Sequence, residues 1–260
     1  PAIGLLGDVM LGRSVAEALR EVPPPELWSE EVRSLCASLD LVVCNLECCI
    51  AGRGEPTRRI RGKPFFFRGP PSAVEALQAI GARAVSLANN HALDYGEEAL
   101  GETLELLAAA GIVATGAGPS AEEARRPAVV EAAGQRVGLI CASDHPQEYA
   151  ATPEASGIAY ADLGRGVPGW LLEELAALRE RCDLVIAFPH WGPNMTATPA
   201  RWQRRAAAGG VVVDDHVPAV GHRHGVAARV GIGQRGQAHF APRAALVLRV
   251  HEAVDGLLET

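Results

Sequence analysis

The chain has 260 residues, 48% hydrophobic, 21% charged and 5% aromatic, with 31 acidic residues against 24 basic ones and a net charge of −7. That balance is globular and excludes disordered, collagen-like and disulfide-scaffold chains; it gives no global pull toward nucleic acid, and no apolar run nears the ~18 residues that span a bilayer. Six cysteines are too sparse for a stapled secreted domain and point to a reducing cytoplasm, with an extracytoplasmic site expected only if a signal or anchor has been removed.

In chain order, the apolar run Ala2–Leu6 predicts a first strand, and Gly7-Asp8 follows it. Leu41–Asn45 predicts a second, leading into Leu46-Glu47. Val74, Leu77 and Ile80 share a helix face; Ala84–Leu87 is the next strand, ending at Asn89-Asn90-His91. Leu100, Leu104 and Leu107 mark a second helix. Pro127–Gln135 reads as a short strand and turn feeding the strand Val137–Ala142. Leu171, Leu175 and Leu178 mark a third helix before the strand Leu184–Phe188, which runs into His190-Trp191-Gly192. Val217–Val220 precedes Gly221-His222-Arg223-His224, and Ala244–Val250 predicts the last strand. Apolar strands alternating with amphipathic helices predict an α/β fold with helices outside the sheet. No internal repeat or linker divides residues 1–260, so a single domain is expected.

Five predicted strand ends carry a carboxylate, a carboxamide or an imidazole, the place where α/β sheets gather their ligands. Asp, Glu, Asn and His together suit Mn, Fe or Zn, and two such ions can hold both ends of a transferring group and activate water. Taken singly, each residue has a plainer reading: Asp8 could cap a helix near Ser14, Asn90 could serve a turn, and a lone His is commonly a satisfied core residue. Five at once favour a site. Cys44, Cys48 and Cys49 fit no structural zinc spacing and read as small buried apolar groups. Asp94, three after His91, either holds the imidazole tautomer or caps the helix starting near Gly96. Trp191 either lines a substrate pocket or forms a packing wall. The segment Arg58–Arg68, with Arg59 and Arg61, reads as a recognition loop for an anion or as a solvated loop balancing nearby acids. Phe65, Phe66 and Phe67 would pin it to the core.

GDVMLGR at Gly7–Arg13, CNLE at Cys44–Glu47, SLANNHALDYG at Ser86–Gly96, TGAG at Thr115–Gly118 and FPHWGPN at Phe188–Asn194 resemble the CapA family of capsule or poly-γ-glutamate synthesis proteins, a branch of the calcineurin-like metallophosphoesterases. The resemblance runs from about residue 3 to about 206. It implies a four-layer α/β/β/α sandwich with metal at the sheet ends. It also implies metal ligands Asp8, Glu47, Asn90, His190, His222 and His224, with Asn45 as helper or substitute and His91 as acid or substrate-orienting histidine. Two departures stand out. The phosphoesterase pattern places a histidine two residues after Asp8, where this chain has Met10, a poor ligand for a hard ion, so one ion should bind more weakly than the other. Gly209–Arg243 lacks the family's Gly-Asn-Phe segment, and its GHRH is closer to general phosphoesterases; divergence, a truncated branch or a reading-frame error would each produce this. Two functions follow: a metal-dependent hydrolase of a phosphoester or poly-glutamate substrate, or a non-catalytic accessory protein that keeps the site for binding. The sequence assigns no oligomeric state.

Overall fold

The computed structural model describes residues 1–192, 198–210 and 246–249. Four parallel strands form the first sheet, in the order β1 (Ile3–Val9), β2 (Leu41–Leu46), β5 (Ala82–Ser86), β6 (Val113–Thr115). Helices α1 (Arg13–Ala18), α2 (Glu30–Ala37), α3 (Ala73–Ala79) and α4 (Gly96–Ala109) make the crossovers. A short parallel pair, β3 (Cys49–Ile50) and β4 (Arg68–Gly69), brackets the Arg-rich segment.

Beyond β7 (Ala117–Gly118), which pairs with β10 (Gly157–Ile158), and α5 (Ala121–Arg125) comes the second sheet. Its order is β12 (Leu246–Arg249), β11 (Leu184–His190), β9 (Gln135–Ser143), β8 (Ala128–Ala132), parallel at its centre and antiparallel at both sides. Ala133 and Gly134, both at positive φ, close the β8–β9 hairpin, the backbone a two-residue turn between right-twisted strands requires. Helix α6 (Gly169–Arg181) packs on this sheet, and α7 (Arg201–Gly210) follows β11. The α/β class is as expected.

Alternation along the strands divides the core. Val42, Cys44 and Leu46 of β2 pack with Leu77 of α3 and with Leu100 and Leu107 of α4. Leu41 and Val43 point the other way and meet Val137 and Leu139 of β9 and Ile186 of β11, which joins the two sheets. Ile140 and Val185 then face Leu171, Leu175 and Leu178 of α6. Helix α6 can approach this closely because Gly138 has no side chain: a Cβ there would sit 2.8 Å from Leu178 Cδ2.

One strand departs from expectation in a way that builds the site. Gly7-Asp8 lies inside β1, and the β1–β2 register shifts between Leu5 and Asp8. Gly7 takes φ +69° at that irregularity, a conformation that strongly favours glycine. The shift sets Asp8 opposite Asn45.

Candidate metal centre

The strand ends of both sheets meet at one polar cluster. From the first sheet come Asp8 on β1, Asn45 on β2, Glu47 just past it and the loop Asn89–Asp94 beyond β5; from the second comes His190, the last residue of β11. Ligand atoms of Asp8, Glu47 and His190 all lie within 4.8 Å of one another. His190 Nδ1 is 3.5 Å from Asp8 Oδ1, and its Nε2 is 3.7 Å from Glu47 Oε1. On the same nitrogen, Nε2, Asn90 Oδ1 sits at 2.8 Å. His190 is 2% exposed, whereas Asp8, Glu47 and Asn90 are only partly buried.

Asn45 organises the cluster. Its Nδ2 donates to Asp8 Oδ1 at 2.8 Å and lies 3.1 Å from His190 Nδ1, while its Oδ1 accepts from Asn89 Nδ2 at 3.0 Å. Asn89 also serves the turn, its Oδ1 accepting from His91 N at 2.9 Å, which leaves the Asn90 side chain for His190. Asp8 does not cap α1, whose N-terminal position is Gly12 without a side-chain cap.

His91 and Asp94 form a second pair, His91 Nδ1 to Asp94 Oδ2 at 2.6 Å. Asp94 is fully buried and does not cap α4, which begins after Tyr95 with no side-chain cap. Instead its Oδ2 accepts from Phe67 N at 2.6 Å, and its Oδ1 accepts from Tyr149 Oη at 3.2 Å and faces Lys63 Nζ at 2.9 Å. Burial pushes the His91 imidazole below its ordinary value, against the upward pull of Asp94. The ring of Phe67 stacks on His91 at 3.9 Å. Burial and then Asp94 push the Tyr149 phenol up.

The substrate-side residues are less uniform. Arg59 pairs with Glu97 and donates to Ser156 O at 3.3 Å, whereas Arg61 is exposed. Trp191 packs edge-on against Trp202, centroids 5.7 Å apart, beside the α6 core. His222 and His224 lie outside the described residues, as do Pro193 and Asn194 of the FPHWGPN motif, the Val217–Val220 strand and most of Gly209–Arg243. All six cysteines are buried and free, and burial pushes the thiols of Cys44, Cys48 and Cys141 up to about 12.

Sequence reasoning saw Lys63 only as a member of the basic segment and passed over Tyr149, Asp144 and His145. The last two follow β9 just as the marked residues follow other strands, so the same strand-end rule reaches them. His145 Nδ1 bonds Asp144 Oδ1, its ring lies 5.5 Å from that of His190, and Asp144 Oδ2 accepts from Gly192 N at 2.9 Å.

Residues 2–215 match the family model described as the bacterial capsule synthesis protein PGA_cap. The chain is 31% identical over 231 residues to a probable polyglutamine synthesis accessory protein of Mycobacterium tuberculosis (strain CDC 1551 / Oshkosh), covering 72% of this chain and 59% of that protein. It is 23% identical over 222 residues to the PGA biosynthesis protein CapA of Bacillus subtilis (strain 168), covering 83% and 56%. Against the capsule biosynthesis protein CapA of Bacillus anthracis it is 24% identical over 226 residues, covering 83% and 54%. The chain thus spans between half and three fifths of the length of these relatives. With the family pattern matched over most of its length, the chain belongs to the bacterial capsule synthesis protein PGA_cap family, associated with capsule and poly-glutamate synthesis.

Proposed function

We propose that this chain is a metal-dependent hydrolase of capsule or poly-γ-glutamate metabolism, holding a divalent Mn, Fe or Zn ion and cleaving a phosphoester or γ-glutamyl amide in an anionic substrate. The convergence of Asp8, Glu47 and His190 ligand atoms within 4.8 Å carries this reading. Two carboxylates, one imidazole and the Asn90 carboxamide fit a hard-to-borderline divalent ion. When bound, such an ion supplies Lewis-acid polarisation and a more acidic water.

The residues around it have separate tasks. Asn45, held by Asn89, keeps Asp8 and His190 in place. A bound metal would need an imidazole lone pair of His190, so the contact between its Nε2 and Asn90 Oδ1 would be exchanged for the ion. With Nδ1 tied to Asp94, His91 keeps Nε2 for proton transfer: as the imidazolium, the form Asp94 favours against burial, it would give the Nε2 proton to a leaving group and be left neutral. Arg61 is free to meet substrate anions, whereas Arg59 would have to exchange its Glu97 contact, and Trp191 would supply a wall. His222 and His224 complete the ligand set in this proposal.

A second reading, a non-catalytic accessory protein, has its own support. Met10 stands where the phosphoesterase pattern has a histidine, and its sulfur accepts from Gly12 N at 3.0 Å. Elemental analysis and a panel of phosphodiester and γ-glutamyl anilide substrates separate the readings. The hydrolase reading expects bound metal and turnover, both lost in His190→Ala. Wild-type metal content in His190→Ala would overturn the site; bound metal without turnover would leave the accessory role.

A further inference from the structure

The Arg-rich segment contains Lys63, the only lysine among 24 basic residues, and this side chain is turned inward. It is 7% exposed, and its Nζ meets the fully buried Asp94 at 2.9 Å. The same ammonium donates to the backbone carbonyl of Asn90 and lies 5.1 Å from the centre of the Tyr149 ring. We infer that Lys63 is a positioning residue: by gripping the Asn90 carbonyl and Asp94 together it fixes the Asn90–His91 loop in its ligand-holding shape, and so sets the metal affinity of the centre. The inference rests on the metal-binding reading above.

Asn90 is held at both ends. Its carbonyl is bonded to Lys63, and its side-chain Oδ1 is bonded to His190 Nε2 at 2.8 Å. Losing the first contact would loosen the backbone that presents the second. The rest of the segment converges on the same loop: Thr57 N donates to Asp94 O at 2.8 Å, Phe67 N to Asp94 Oδ2 at 2.6 Å, and the Phe67 ring covers His91. Residues 57–67 therefore form a strap across the loop, with Lys63 reaching Asn90 itself.

Composition adds an independent argument. Every other basic residue in this chain is arginine, so a lysine here marks a place that a planar guanidinium does not suit. A compact ammonium with three donors can take a carbonyl, a carboxylate and an aromatic face at once. Stability alone is a weak reason to keep such a pair, because desolvation offsets much of the attraction between buried charges. Fixing a geometry is the better one.

The test is Mn²⁺ affinity, by calorimetric titration of metal-stripped protein with Mn²⁺ alone. Lys63→Ala should raise Kd at least about tenfold, the scale on which outer contacts of metal ligands act. Methylammonium should restore it to within about threefold by refilling the slot, and tetramethylammonium at equal ionic strength should not, because it offers no N–H. Arg53→Ala loosens the neighbouring residues from Glu102 and Glu105 of α4 without touching the loop, and should leave Kd within about twofold. If Lys63→Ala does not fold, Lys63→Arg keeps the charge beside Asp94 and should still raise Kd about fivefold or more. Wild-type Kd in a folded Lys63 variant, or an equal loss in Arg53→Ala, would overturn the inference while leaving the metal centre intact. A wild-type protein that binds no Mn²⁺ would instead remove the metal centre, and the inference with it.

Discussion

Asn45 shows how much one carboxamide can arrange. It touches Asp8, His190 and Asn89, residues 37 to 145 positions apart in the chain. Met10 is the residue on which the proposed inequality of two ion positions rests. Met10→His should therefore raise bound Mn²⁺ from about one equivalent to about two, since imidazole is a far better ligand for such ions than thioether; elemental analysis after dialysis reads the change. Two tight equivalents in the unmodified protein would refute the asymmetry. Asp8, Glu47, Asn90, His91 and His190 were legible in the sequence because each is a polar residue beside an apolar strand. Lys63 and Tyr149 were not, because their partner Asp94 is 31 and 55 residues away and neither follows a strand end. The alternative between a helix cap and an imidazole partner for Asp94 needed the three-dimensional contacts, which pair it with His91.

Among the elements, strands announce themselves by apolar runs and helices by their spacing, and where an element was expected its observed span falls within a few residues, whereas α2, α5, α7, β6 and the β7–β10 pair were not foreseen. What the runs hide is the irregularity at Gly7, since a register shift leaves no periodic trace. The short β3 was hidden too, because two residues carry no pattern. Beside packing of Cys49 on Ala99, its hydrogen-bonded tie to α4 runs through one buried hydroxyl: Thr103 Oγ1 accepts from Ile50 N at 2.9 Å and lies 2.7 Å from Ala99 O and 3.1 Å from Ile50 O. Thr103→Val keeps the shape and strands the Ile50 N–H, a loss of about 1–3 kcal/mol. Urea unfolding should show a lower midpoint at unchanged slope. An unchanged midpoint would mean that α4 holds β3 by packing alone.

At the scale of the whole molecule, the sequence shows the α/β class but not that two sheets share one polar rim. That meeting depends on Val43 and Ala84 facing Leu139 and Ile186, contacts no local pattern encodes. The cysteines map this interior. Cys36, Cys44 and Cys48 sit between the first sheet and its helices, Cys141 between the sheets, and Cys182 beneath α6. Native protein should leave all six unreactive toward a disulfide reagent at pH 8 for many minutes, and denaturant should release six equivalents, because only exposed thiolate reacts. Rapid reaction of any thiol in the native state would contradict the packing around it. Since each buried thiol reacts only when its own neighbourhood opens, brief alkylation followed by peptide mass spectrometry would time the opening of each interior separately. The unmodified chain thus carries its own clock for the order in which its parts come apart.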